Sequence, residues 1–431
     1  MKLHLSASTV IMGLCLGFLA DGEAQAASFT FTKIADTSGS FNSFLGKGIG
    51  GYEPMSAAPA INNQGTVAFF AVLDAGGEGI FTGNGITTTT IIDTNTPFPV
   101  ESAESSSGFF VDNLGSFSIN DVGNVAFSGY FGTSGIFTSE LKNVIEGAVG
   151  DSFTRVYSPS INNVGTVAFL QTISRFNGLT RIVTGKESVD DFIASTRFYT
   201  EPVAAGVFES ISTPMINDQG TVAFKADVYQ SNNESAIASG IFTGNGTRDD
   251  GEIITNTIAV SNAAFNSFSD PSINNSGTVA FSALLDTGLS GVFTGNGTTT
   301  TTIADSRGAF NSFFSTPSIN DFGTVAFLAG LDAGGSGIFT GNNPLKDKVI
   351  VTGDTLFGST VQELSFYREG LNNSGQVAFF ASLANGTGGI FRADRIVVEP
   401  PKDVPEPASG LGLLAFGALG ATSVMKRKQK Q

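Results

Sequence analysis

The chain has 431 residues, with 38 Asp and Glu against 22 Lys and Arg and a formal net charge of −16 at pH 7. An acidic chain of this kind repels nucleic acid and anionic membrane surfaces. Its one histidine and one cysteine, His4 and Cys15, both fall in the first 26 residues and tryptophan is absent, so disulfides, Cys/His zinc centres and imidazole chemistry are excluded for everything downstream.

Residues 1–26 combine a basic start at Lys2, an apolar run from Val10 to Ala20 and the small-residue site Ala24-Gln25-Ala26, which predicts a secretory signal peptide. Cys15 does not read as a lipid-modified cysteine, because Leu14 stands where a small residue is expected. Phe29 to Asp36 then reads as a single strand without partners of its own.

From Ile61 to Phe391 the string Asn-x-x-Gly-x-x-Ala-Phe occurs seven times. Its paired turn residues are Asn62 and Gly65, Asn120 and Gly123, Asn162 and Gly165, Asn217 and Gly220, Asn274 and Gly277, Asn320 and Gly323, and Asn372 and Gly375. Successive starts lie 58, 42, 55, 57, 46 and 52 residues apart, the length of one supersecondary unit repeated in series.

Within a unit, four short segments rich in β-branched and aromatic residues are separated by Gly, Asn and Asp, which predicts four strands joined by hairpins. The innermost would be the Ser-Ile-Asn segment, with a small residue at Ala60, Ser118, Ser160, Ser272, Ser318 and Gly370. In the second, Thr66 to Leu73, Val67, Phe69, Ala71 and Leu73 share one face and Ala68, Phe70 and Val72 the other, so both faces are apolar and covered. The third carries an Ile-Phe or Val-Phe pair. Gly83-Asn84-Gly85, Gly244-Asn245-Gly246 and Gly295-Asn296-Gly297 predict tight turns into a fourth strand, Thr87 to Ile92 or Thr298 to Ile303.

Seven such units predict an all-β fold: a seven-bladed β-propeller of four-stranded antiparallel blades over residues 28–398, with the N-terminal strand completing the last blade. An open β-solenoid has much shorter rungs.

A meandering blade sends alternate connections to opposite ends, so every Asn-x-x-Gly turn falls on one face with the third-to-fourth strand turns. There Asn and the Asn or Asp after it cap their own backbone, and Gly takes a positive φ. A ring of amides binding sugar is the functional alternative. The opposite face carries Asp74, Asp286 and Asp332 in the second-to-third strand loops and Asp36, Asp93 and Asp305 at the crossings between units. Asp74, Asp286 and Asp332 are candidate Ca²⁺ ligands, although six to eight oxygens are needed and no full Asp-x-Asp-x-Asp string is present; plain turn capping competes. Units two and seven read Phe131-Gly132-Thr133 and Ala384-Asn385-Gly386 at that loop. Phe41-Asn42-Ser43-Phe44, Phe265-Asn266-Ser267-Phe268 and Phe310-Asn311-Ser312-Phe313 are placed at the same crossings. With 39 Phe and no Trp, Phe reads as the general core filler, which favours their burial between blades over stacking on sugar.

Residues 399–407 form a Pro-rich linker containing Val404-Pro405-Glu406-Pro407, followed by an uncharged stretch over 408–425 and a basic tail over 426–431. Eighteen apolar residues approach the roughly 30 Å of a bilayer core, and Lys426, Arg427, Lys428 and Lys430 keep the tail cytoplasmic, leaving the body outside. Motif, apolar helix and basic cluster together resemble the PEP-CTERM sorting signal of Gram-negative bacteria. The resemblance implies export, transient anchoring in the inner membrane and processing by an exosortase-type enzyme in bacteria that make an exopolysaccharide matrix, with Val404, Pro405, Glu406 and Pro407 as the recognised motif. The body is similar to exported tandem-repeat proteins described by their Asn-x-x-Gly-x-x-Ala-Phe units, which carry various C-terminal anchors and transfer no activity. The third unit departs from the pattern with Arg181-Ile182-Val183.

No catalytic residue and no organic cofactor is assigned. The expected function is an exported, surface- or matrix-associated, non-enzymatic repeat protein that binds an exopolysaccharide or a surface protein through the face opposite the Asn-x-x-Gly turns. One alternative is a glycoside hydrolase or lyase using two carboxylates about 5 to 9.5 Å apart, for which Asp190-Asp191 and Asp249-Asp250 are the unit-specific acids. Another is a purely structural matrix component.

Overall fold

The computed structural model describes residues 28–45, 58–96, 113–130, 134–139, 154–174, 178–185, 189–196, 207–230, 233–249, 252–261, 264–313 and 315–396. The expected signal peptide, linker, Val-Pro-Glu-Pro motif, apolar helix and basic tail lie outside these residues. Among the described residues no helix is long and apolar enough to cross a membrane. The chain divides into two compact units between Arg395 and Ile396, and the blades belong to the first.

Seven sheets succeed one another along the chain and form the blades of a propeller. Blade 1 runs from the inner segments Phe41–Ser43 and Ala60–Ile61 through Val67–Leu73 and Glu78–Gly83 to the outer strand Thr88–Asp93. Blade 7 is built from Ser359–Ser365, Val377–Leu383 and Gly388–Ile396, and the N-terminal strand Ser28–Asp36 adds to its outer edge. The last blade therefore takes its fourth strand from the start of the sequence, which ties the ring shut.

Three details differ from the sequence reading. The inner strand is longer than Ser-Ile-Asn, because the Phe-Asn-Ser-Phe segments are strands and not crossings: Phe41 pairs Leu73 and Ser43 pairs Val72, while Ala60 and Ile61 pair the other end of the same strand. Phe265–Phe268 and Phe310–Phe313 do the same in blades 5 and 6. Pro271 and Pro317 interrupt the inner strands of blades 5 and 6, since proline has no N–H for the ladder, whereas in blade 1 residues 44–59 separate the two segments; in blade 3 the strand Thr154–Ile161 stays continuous and carries Pro159 inside a bulge. Second, Gly244-Asn245-Gly246 is no hairpin turn: Asn233–Asp249 runs through it with a register shift, and its partner is Glu252–Val260. Third, Val207–Phe208 adds a parallel strand to the outer edge of blade 3.

Packing follows the two-sided pattern of the second strand. Val67, Phe69 and Ala71 pack against Ala378, Phe380 and Ile390 of blade 7, whereas Ala68 and Phe70 pack with Leu114, Val125 and Phe127 of blade 2. Phe69, Phe127, Phe169, Phe224, Phe281, Phe327 and Phe379 are all fully buried. In six blades the repeat Phe meets a third-strand Phe at ring centroids 5.7–6.2 Å apart, as with Phe281 and Phe293. The third-strand ring lies over the glycine two residues earlier. A Cβ on Gly291 would stand 2.9 Å from Phe293 Cζ and 2.8 Å from the Ala304 carbonyl.

Blade 3 accounts for its own departure from the pattern. Where Val183 replaces the aromatic ring, the position over which the ring would lie is free for a side chain, and it holds Arg181, whose guanidinium sits 4.9 Å from the Phe192 ring centroid. Gly291→Ala is accordingly expected to lower unfolding free energy by about 1–3 kcal/mol through overpacking, read from the urea midpoint. Val183→Phe alone should destabilise, and adding Arg181→Gly should recover most of the loss. Simple additivity of the two substitutions would contradict the coupling.

Candidate functional site: the hub and two cavities

The first Asn of each repeat is buried at the hub and bonds in two directions. Its Oδ1 accepts the amide four residues on, at 2.9 Å in all seven units. Its Nδ2 donates to the carbonyl of the corresponding Asn in the next blade, at 2.9–3.1 Å, and the seventh such bond, from Asn372 to Asn62, closes the circle. The repeat glycines make this geometry accessible. All seven have φ between +72° and +90° and donate their N–H back to the Asn carbonyl, a conformation that a Cβ disfavours.

A second ring lies beside the first. The next residues are Asn63, Asp121, Asn163, Asp218, Asn275, Asp321 and Asn373, an alternation of amide and acid. Each backbone N–H donates to Oδ1 of the following member at 2.7–2.9 Å, again through all seven blades. Each Asp Oδ2 accepts from the Asn side chains on both sides, as Asp218 does from Asn163 at 3.0 Å and Asn275 at 2.8 Å. An acid flanked by two amides finds only donors, whereas adjacent acids would repel. The ring polar groups are thus paired with one another.

Blade 7 differs at the axis. Five units place proline three residues before the Asn; blade 7 reads Tyr367-Arg368-Glu369-Gly370. Arg368 is 4% exposed and crosses the axis to donate from Nη1 to the Thr213 carbonyl of blade 4, at 3.2 Å. Glu369 reaches toward blade 2, where the Ser118 hydroxyl and the Ile119 amide donate to its carboxylate. The residue is half-buried, yet its Oε2 is enclosed and has no protein partner. Burial pushes its carboxyl up to about 7, against the opposing pull of Arg368 and those two donors.

Arg368 and Glu369 line a cavity of about 130 Å³ together with the Asn/Asp rings and Ile61, Ile161 and Leu371. A larger cavity of about 740 Å³ lies among blades 5, 6 and 7, lined by Asp270, Ser315, Thr316, Tyr367, Phe268 and Phe313 with other serines. It borders the ends of the second strands next to the loops opposite the hub rings. Tyr367 is hydrogen-bonded with Thr316; burial pushes its phenol up, Arg368 opposes this and the Asp270 and Glu369 charges add to it.

The other residues singled out in the sequence are spread apart. Asp74, Asp286 and Asp332 are exposed, one each in blades 1, 5 and 6, and each backbone N–H is tied to its own inner-strand segment at Ser40, Ala264 or Ala309. Among the described residues no three His, Cys, Asp or Glu gather into a metal-binding group. Asp36, Asp93 and Asp305 cap their own turns through Ser38, Asn95 and Arg307 amides. Phe44, Phe268 and Phe310 are buried in the blades. Asp190, Asp191 and Asp249 lie on Val189–Thr196 and Asn233–Asp249, away from the axis. Sequence reasoning misses Arg368, Glu369 and Asp270; the signal is the departure of Tyr-Arg-Glu-Gly and Asp-Pro-Ser from their counterparts before the other Asn residues.

Residues 403–428 match the PEP-CTERM protein-sorting motif, a signal for exosortase processing that marks an exported protein with a C-terminal anchor. No curated protein matches the chain. Among solved structures it is similar to an oligogalacturonate lyase from Vibrio parahaemolyticus, at 11% identity over 85% of this chain and 97% of that one with a TM-score of 0.45. It is also similar to a puromycin-hydrolyzing peptidase from Mycobacterium tuberculosis, at 12% identity and a TM-score of 0.48, covering 80% of this chain but only 53% of that one. The propeller body is matched over residues 45–150 and 144–361, most of the chain, and on that match the chain belongs to the family of unknown function DUF7453.

Proposed function

We propose that this protein is an exported, non-enzymatic binding protein of the cell surface or extracellular matrix, which holds carbohydrate or a partner protein through the face opposite the Asn-x-x-Gly turns. The observation that carries the reading is a contrast: the hub rings pair with themselves, while a large cavity rich in hydroxyl groups lies among blades 5, 6 and 7. Ligand pockets of a few hundred to about 1,000 Å³ with convergent polar groups are the usual form of a binding site. The carboxylate-dependent hydrolase or lyase requires two acids facing one substrate. Asp270 lines the large cavity and Glu369 the hub cavity, with Arg368 beside Glu369, which favours binding over that chemistry.

In this reading residues 408–425 anchor the protein in the inner membrane until an exosortase-type enzyme cuts near Val404 to Pro407, after which the body joins the surface or matrix. The test is co-sedimentation of the full-length protein with exopolysaccharide from a Gram-negative biofilm, with and without calcium. Saturable retention is expected; none with either polysaccharide or matrix protein would leave the purely structural role. A calcium-dependent rise in Tm that disappears when Asp74, Asp286 and Asp332 become Ala is the outcome expected if those loops hold Ca²⁺.

A further inference from the structure

We propose that the cavity among blades 5, 6 and 7 binds a short neutral saccharide, with Asp270 and Ser315 as the residues that recognise its hydroxyl groups. The proposal rests on the carbohydrate reading of the protein and goes beyond it in naming the site and the class of sugar.

Among the described residues Asp270 is the one charged side chain on the cavity wall, and neither Lys nor Arg lines it. Uronate or sulfate groups call for a guanidinium or ammonium partner. Arg368 lies behind the wall, its guanidinium 5.5 Å from the Tyr367 ring centroid, and is engaged with Thr213 and the other cavity. An anionic sugar would therefore be desolvated beside the Asp270 carboxylate with no cation on the described wall to bond it directly. A neutral sugar instead offers hydroxyl donors, and a carboxylate receives them in charge-assisted bonds.

Ser315 supplies the second observation. Its carbonyl accepts the Ser282 hydroxyl at 3.0 Å, yet its own Oγ is enclosed without a partner among the protein atoms. A buried hydroxyl is normally paired; with no exposed surface as the side chain stands, Ser315 Oγ meets a ligand hydroxyl in the cavity only once a χ1 rotation turns it outward. The half-buried Phe313 offers apolar surface to the C–H face of a sugar ring, over a base that includes the buried Phe268. The acid is also singular: where unit 5 has Asp270, the other units have Ala58, Ser116, Ser158, Thr213, Thr316 and Arg368. A residue serving the common scaffold would recur.

The test is calorimetric titration of the full-length protein with cello-, xylo-, manno- and maltotetraose, and with tetragalacturonate. At least one neutral tetraose is expected to bind saturably and tetragalacturonate at least tenfold more weakly. Asp270→Asn, which keeps the side-chain shape, should weaken the neutral sugar about tenfold, and Ser315→Ala about threefold, with Tm showing that both variants remain folded. Preference for tetragalacturonate overturns the proposal. Neutral-sugar binding indifferent to both substitutions also overturns it while leaving the carbohydrate reading intact, and binding of no saccharide removes both.

Discussion

Asn320→Asp is expected to lower the unfolding free energy by about 3–5 kcal/mol at pH 7, the cost of leaving a buried charge without its partner, and to regain part of that loss at pH 4. Asn320 is 5% exposed. Its Oδ1 accepts the Phe322 and Thr324 amides, and its Nδ2 donates to the Asn372 carbonyl. Aspartate keeps the acceptor and loses the donor, so a carboxylate oxygen faces a carbonyl oxygen across the blade boundary. Protonation restores a donor at that place, which raises the folded-state pKa of the new carboxyl above its unfolded value. The variant should therefore be least handicapped below about pH 4, the unperturbed range of Asp, and lose ground as pH rises through the raised value. Asn320→Ala leaves the Phe322 and Thr324 amides without their acceptor and the Asn372 carbonyl without this donor, at about 1–3 kcal/mol for each group left unpaired. That variant has nothing to recover on acidification. Urea unfolding of both at pH 7 and pH 4 separates them; equal losses at the two pH values for the Asp variant would refute the donor role.

The blades are legible in the sequence because their signals are local. Asn-x-x-Gly predicts a turn from two residues alone, and Val-Ala-Phe-Phe-Ala-Val-Leu at 67–73 announces a strand covered on both faces. The hub bonds are not, since each Asn donates to a residue 42 to 58 positions away, or 310 at the closure. The alternation of Asn63, Asp121, Asn163, Asp218, Asn275, Asp321 and Asn373 is plain in the sequence, but it acquires meaning only when those residues become neighbours in a ring. At Gly244-Asn245-Gly246 a strong turn signal loses to a nearby competitor: Asp250-Gly251 follows it, and the strands that pair end at Asp249 and resume at Glu252. The Phe-Asn-Ser-Phe segments read as crossings because a proline in blades 5 and 6, and residues 44–59 in blade 1, divide the inner strand, so half of each strand resembles a connection.

Glu369→Gln should remove a pH dependence that the native protein carries. The Glu369 carboxyl is raised from its ordinary 4.5 to about 7, chiefly by burial. Between those values the folded state holds a proton that the unfolded chain has released, so stability falls as pH rises from 4.5 toward 7 and levels off above it. At about 1.4 kcal/mol per pH unit the full loss is on the order of 3 kcal/mol. Gln keeps an oxygen for the Ser118 and Ile119 donors and presents an uncharged amide where Oε2 is unpartnered. The variant and the native protein are expected to be close in stability near pH 4.5, and the variant more stable by roughly that 3 kcal/mol at pH 8. Titrations elsewhere, including Asp36, whose carboxyl is held below its ordinary value, affect both proteins alike and cancel in the difference. Parallel stability curves from pH 4.5 to 8 would mean that Glu369 is charged in the fold at no cost. A gap that opens with pH would mean that blade 7 keeps a destabilising acid at the hub, in a place where five other blades manage with proline.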